Sequence, residues 1–109
     1  MKAFLHVLLA FSATGWIVIC EAADANAAIP RVKEVCQACH GMDGNSQVGD
    51  NPKLGGQYPD YLAKALRDYQ SGLRKNPVMA SFVDKLSKQD IENLAAYYAA
   101  QPAVLSTRH

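Results

Sequence analysis

Apolar and polar positions divide the chain into an apolar opening, three helical repeats and the polar stretches between them. The opening run, "AFLHVLLAFSATGWIVIC", follows Met1 and Lys2, and only His6, Ser12 and Thr14 interrupt it with polar groups. The first predicted helix covers Ile29 to Ala38. Pro30 suits a first-turn position, where a missing N–H costs nothing, and Val32, Val35 and Cys36 share one face. The second is "YPDYLAKALRDYQSG", with Pro59 in its first turn and Gly72 as its C-terminal cap. Tyr58, Leu62, Leu66 and Tyr69 give it an apolar stripe, with Lys64, Arg67 and Asp68 facing away. The third begins at "SKQD", where Ser87 as N-cap and Asp90 three residues on make a variant capping box. Its apolar face is Ile91, Leu94, Ala95 and Tyr98, with Tyr97 beside it, and Gln101-Pro102 stops it.

Between the first two helices lies "GMDGNSQVGDNPKLGG", glycine-rich and without an apolar period, which is a loop. A polar loop of that length in a small domain usually wraps something. "LRKNPVMASF" breaks the second pattern at Pro77 and predicts another loop, and the tail "AVLSTRH" carries no signal. No strand pattern and no internal repeat occur, so the fold class is all-α.

A basic start, an apolar middle and a small-residue exit describe a secretory signal peptide over residues 1–25. Ala23-Asp24-Ala25 and Ala25-Asn26-Ala27 both fit the exit and put the mature start at Asn26 or Ala28, with the domain over 26–109. The rival reading is an uncleaved membrane anchor, because the apolar run approaches spanning length. Cys20 follows Ile19 rather than a small residue, which argues against lipidation. The mature part keeps about eighty residues, near the lower limit for a self-sufficient apolar core. Domains of that size often need a disulfide, a metal or a cofactor for stability. A mature net charge of about +2 is no footprint for nucleic acid.

The chemistry concentrates in "VCQACHGMDG". Cys36-x-x-Cys39-His40 is a poor structural zinc site, which needs four ligands: the mature chain offers only two cysteines and two histidines, and His109 is in the tail. A thioredoxin-like dithiol expects a strand before the helix, and a disulfide between the pair is geometrically poor inside a helix. Haem c attachment meets each requirement. Two thiols add to the two vinyl groups of one ring, and the adjacent histidine reaches the iron through Nε2. The attachment chemistry takes place outside the cytoplasm, where the leader would send the chain. The ring also supplies apolar surface that the short chain lacks.

Iron has a second axial position. Met42 is tethered close to His40, His6 falls in the leader and His109 is terminal. Met79 stands far along the chain and could reach the opposite face; it could equally be a methionine filling a gap in the core.

From Val35 to Gln101 the chain resembles the class I c-type cytochromes, and among them the bacterial cytochrome c4, c5 and c553-like monohaem domains. The matching pieces are "CQACHGMDG", "NPKLGGQYPDYLAKALRDYQSGLR", "NPVMASF" and "LSKQDIENLAAYYAAQ", in that order. The resemblance implies a class I cytochrome c fold, three main helices and loops around one covalent haem c. It implies Cys36 and Cys39 as thioether sites, His40 as proximal ligand and Met79 as distal ligand. It further implies that the Pro52 carbonyl accepts the histidine Nδ1–H, that Tyr98 lies near the haem and that Arg74 approaches a propionate. Leu94 and Tyr97 match positions that pack the last helix across the first. Two departures stand out: the segment before Cys36 is short and carries Pro30, and one C-x-x-C-H means a single haem unit where cytochrome c4 proteins carry two.

The reading is a soluble periplasmic single-electron shuttle, not itself an enzyme, with redox proteins as donor and acceptor. Such a carrier would be a monomer, with Lys53, Arg74 and Lys75 orienting its docking. The alternative is a haem subunit of a periplasmic dehydrogenase or sulfur-oxidising complex. A gas sensor or peroxidase would need an open iron site, against which a distal Met79 argues.

Overall fold

The computed structural model describes residues 10–19 and 21–104. The basic start, His6, Cys20 and His109 lie outside the described residues. Among those described, no strand forms, and no helix is long and apolar enough to cross a membrane.

The first helical stretch, α1, spans 26–40 and changes its winding along its length. A 3-10 turn at Asn26–Ala28 leads into an α turn at Ile29–Arg31, a π turn at Val32–Cys36 and an α turn at Gln37–His40. It begins earlier than the apolar spacing predicts and carries Cys39 and His40 within it. The early start has a local cause: the Asp24 carboxylate accepts the N–H groups of Asn26 (2.9 Å) and Ala27 (3.4 Å). In the wide turn the Gln37 side chain donates to the Lys33 carbonyl at 2.7 Å. Gly41, at φ 82°, ends the helix in a conformation that costs a side chain dearly.

Helix α2 is Pro59–Ser71 and stops at Gly72 in the left-handed region. Tyr58 does not join its apolar stripe. It is the extended residue before the first turn, outside the helical repeat, and is 79% exposed. Leu62 and Ala63 are buried, with Leu66 and Tyr69 packed on the core.

The segment at Pro77 is a helix, not the predicted loop. Helix α3, Pro77–Val83, has proline at its start, where φ is already helical. The Asn76 side chain caps it, accepting from Val78 N (3.0 Å) and Met79 N (3.1 Å). Seven residues are too few to show an apolar period, so the Asn-Pro pair is the readable signal.

Helix α4, Lys88–Ala99, carries the full capping box: Ser87 and Asp90 bond each other's backbone N–H. Its predicted face is buried, with Ile91 at 2% and Tyr98 at 4% exposure. Helix α4 packs against α2 and against the opening turn of α1, and α3 packs against α2. The chain just past α4 is tied back: Pro102 O accepts from Asn45 Nδ2 (2.9 Å), and Val104 N donates to Asn45 Oδ1 (3.3 Å). A Cβ on Gly55 would lie 2.7 Å from Pro102 O, so the tail seats against a loop residue that must be glycine.

Candidate functional site

Between α1, α2, α3 and the loop of residues 41–58 the chain leaves a cavity of about 430 Å³. For a domain this small that is a large void, because folded interiors are close-packed. Leu62, Leu66, Val83 and Leu94 make its walls apolar. Cys36, Cys39, His40, Pro52, Arg74, Met79 and Tyr98 all line it, so one space collects every site residue proposed from the sequence.

His40 is 7% exposed, and its Nδ1 lies 2.9 Å from the Pro52 carbonyl. A carbonyl only accepts, so Nδ1 carries the hydrogen and Nε2 keeps its lone pair. Among the described residues nothing else bonds the ring. Two tyrosines fix the turn that follows it. Tyr97 Oη donates to Met42 O (2.8 Å), Tyr98 Oη donates to Gly41 O (3.2 Å), and the rings meet edge to face at 5.1 Å. Burial holds the Tyr98 hydroxyl far above its ordinary pKa, in the protonated donor form.

The loop bearing Pro52 is itself pinned. Leu54 N donates to Gly44 O (2.7 Å), and Gly56 N donates to Tyr98 O (3.0 Å). Asn45 then ties loop to tail. These contacts determine where Pro52 stands, and the sequence reading missed Asn45. A lone asparagine in a glycine-rich loop reads as turn chemistry, and its partner in the tail is fifty-seven positions away.

Cys36 is half-buried, Cys39 is exposed and neither is in a disulfide. Burial pushes the Cys36 thiol up despite the nearby Arg31, so it stays neutral. Met79 reaches the cavity from α3, in the first turns that Asn76 caps. Met42, the nearer candidate in sequence, packs on the core cluster as Met79 does but does not line the cavity. At the rim, the Arg74 guanidinium lies over the Tyr69 ring, 4.8 Å from its centroid. Lys53 is also on the rim, whereas Lys75 does not line the cavity.

The arrangement suits a flat apolar group that presents a metal to a lone-pair nitrogen and a thioether. Lys53 from the 41–58 loop and Arg74 from the segment after α2 are cations in the cavity lining that could meet carboxylates. The apolar lining and the donor set therefore fit a haem.

Residues 23–97 match the family model described as cytochrome c oxidase, cbb3-type, subunit III. The chain is 40% identical over 109 aligned residues to cytochrome c4 of Stutzerimonas stutzeri, covering 92% of this chain and 50% of that protein. It is 39% identical over 69 residues to cytochrome c-554(548) of Halomonas halodenitrificans, covering 61% of this chain and 83% of that one. The crystal structure of reduced recombinant cytochrome c4 from Pseudomonas stutzeri superposes with a TM-score of 0.69 at 43% identity, over 74% of this chain and 47% of that chain. The chain thus spans about half the length of the cytochrome c4 relatives it matches.

Proposed function

Because the chain belongs to the class I c-type cytochromes, we propose that it carries single electrons between redox proteins in the periplasm. Its cofactor is covalently bound haem c, and its one C-x-x-C-H motif provides for one. When bound, haem c supplies a one-electron Fe(III)/Fe(II) couple. The observation that carries the reading is the single apolar cavity shared by both cysteines, His40 and Met79.

Cys36 and Cys39, both free thiols, would hold the group through thioethers, each S–H adding across one vinyl group with the sulfur on one carbon and the hydrogen on the other. His40 would hold the iron through Nε2, its Nδ1 bond to Pro52 setting the tautomer and raising its basicity. Met79 would hold it through its sulfur. A thioether and an imidazole as the ligand pair would favour the reduced state over two nitrogen ligands and give a fairly high potential. Tyr98 lines the cavity from α4, and Arg74 and Lys53 would be the cations available to the haem propionates. The apolar opening of the chain acts as an export leader that is removed, which leaves a monomer without a membrane tether.

Acid–acetone extraction tests the attachment. The pigment should stay with the polypeptide, and release into the organic phase would sink the thioether assignment. Gel filtration of native extract separates the carrier from its rival: a free monomer is expected, and co-elution with a dehydrogenase subunit at high salt would make the chain an enzyme subunit.

A further inference from the structure

The apolar opening and the folded domain meet at a sharp boundary. Phe11, Trp16, Ile17, Val18 and Ile19 stay in solvent, with Trp16 94% exposed and Ile19 85% exposed. Three residues beyond Ile19 the chain is already tied into the fold. Gln89 Nε2 donates to Ala22 O at 3.2 Å. Asp24 N donates to Oδ1 of Asn93 at 2.7 Å, and Asn93 is a buried residue of α4. The Asp24 carboxylate meanwhile caps the 3-10 turn that opens α1. Asp24 is thus a clasp: its backbone fastens the start of the chain to the last helix, and its side chain starts the first.

The small-residue exits place the mature start at Asn26 or Ala28, and each of those cuts damages this clasp. A start at Ala28 would put a new ammonium group on a residue that is 3% exposed, against the apolar core. A start at Asn26 would remove the Asp24 cap and one of the two donors to Asn93 Oδ1. A cut between Ala22 and Ala23 keeps Asp24 whole. It leaves the ammonium on exposed Ala23 and gives up only the Gln89–Ala22 bond. Cys20 and Ala22 then provide the small residues three places and one place before the cut.

We propose that the leader is cut between Ala22 and Ala23, so that Asp24 survives as the clasp of the mature chain. The proposal rests on the reading of an exported cytochrome. Its test is the intact mass of the holoprotein from the periplasmic fraction of cells expressing the full chain. The expected mass begins at Ala23 and includes the haem. A mass beginning at Asn26 or Ala28, or one retaining the leader, overturns the cut while leaving the carrier reading in place. Absence of the haem adduct at whatever terminus overturns the carrier reading instead.

Two variants address the same point. Ala22→Leu should abolish the Ala23 terminus, and Ala25→Leu should leave it unchanged; the reverse pattern would refute the proposal. Asp24→Ala should lower the melting temperature of the mature protein by about 5 °C, the loss of one helix cap in a domain of this size. If Asp24 is discarded with the leader, the variant and the wild type mature to the same molecule and melt together.

Discussion

The two sides of the cavity are built to different standards. On the histidine side, His40 is buried, its ring is bonded to Pro52, and the loop carrying Pro52 is bonded to itself, to α4 and to the tail. On the methionine side, residues 71–78 are all exposed, and Met79 hangs from a seven-residue helix. That helix is held by the Asn76 cap, by buried Val83 and by Gln70, whose Nε2 donates to Val83 O (2.8 Å) and Leu86 O (2.7 Å). Local opening is cheapest where backbone is exposed and packing is thin. The proximal nitrogen is therefore fixed, while the sulfur is held by the part of the fold that yields first. A carrier can use that asymmetry. In the proposed site His40 would hold the iron in place, and Met79 would complete its ligand set from the more yielding side.

Removing Met79, the ligand proposed for the yielding side, has the largest expected effect. Met79→Ala should abolish the weak sulfur-to-iron charge-transfer band of the oxidised protein and let the reduced protein bind carbon monoxide near neutral pH. If the spectrum is unchanged, the sulfur comes from elsewhere and the contrast between the two sides fails.

Disturbing the stronger side comes next. Gly44 has φ 70°, and a Cβ there would lie 2.7 Å from Gly55 N and 2.7 Å from Tyr98 Cδ1. Gly44→Ala should cost about 3 kcal/mol, from a strained φ together with overpacking. Denaturant titration measures it. A cost under about 1 kcal/mol would mean that the loop around Pro52 gives way easily and is not a clamp.

A gentler variant probes the methionine side alone. Asn76→Ala removes one cap and should cost about 1 kcal/mol. The effect should appear mainly in the charge-transfer band, which would fade at a lower temperature while the helical signal melts nearly as before. Equal shifts in both signals would show that α3 unfolds only with the whole domain.

The smallest effect is in acid. Bonds from the Ser87 backbone and hydroxyl hold the Asp90 carboxyl below its usual range. A carboxyl with a lowered folded pKa contributes stability above the unfolded carboxylate range, and that contribution is lost as pH falls through the folded value. The melting temperature should therefore drop on acidification below that range, and Asp90→Asn should shrink the drop. Asp90 is exposed, so the change is slight.

Several of these features could be read from residues alone, and the reason is distance along the chain. The capping box at Ser87, the apolar face of α4 and the left-handed stop at Gly72 are each set by residues close together along the chain, and each appears in the structure as read. The C-x-x-C-H motif is equally local. What could not be read depends on long-range partners. Asn45 acquires its meaning from Pro102, and Asp24 from Asn93. Helix α3 was legible only as Asn before Pro, because its length hides any period. The wide turn at Val32–Cys36 has no sequence signature at all, yet it sets the register in which Cys36 reaches the cavity.

The central claim, that His40 is clamped and Met79 is the ligand that yields, is tested most directly by one denaturant titration of the oxidised wild-type protein. The charge-transfer band and the far-ultraviolet helical signal are followed in the same samples. The band should disappear at lower denaturant than the helices, with the haem still low-spin or six-coordinate through another donor while His40 stays bound. Coincident loss of both signals would contradict the account and make the cavity a single cooperative unit.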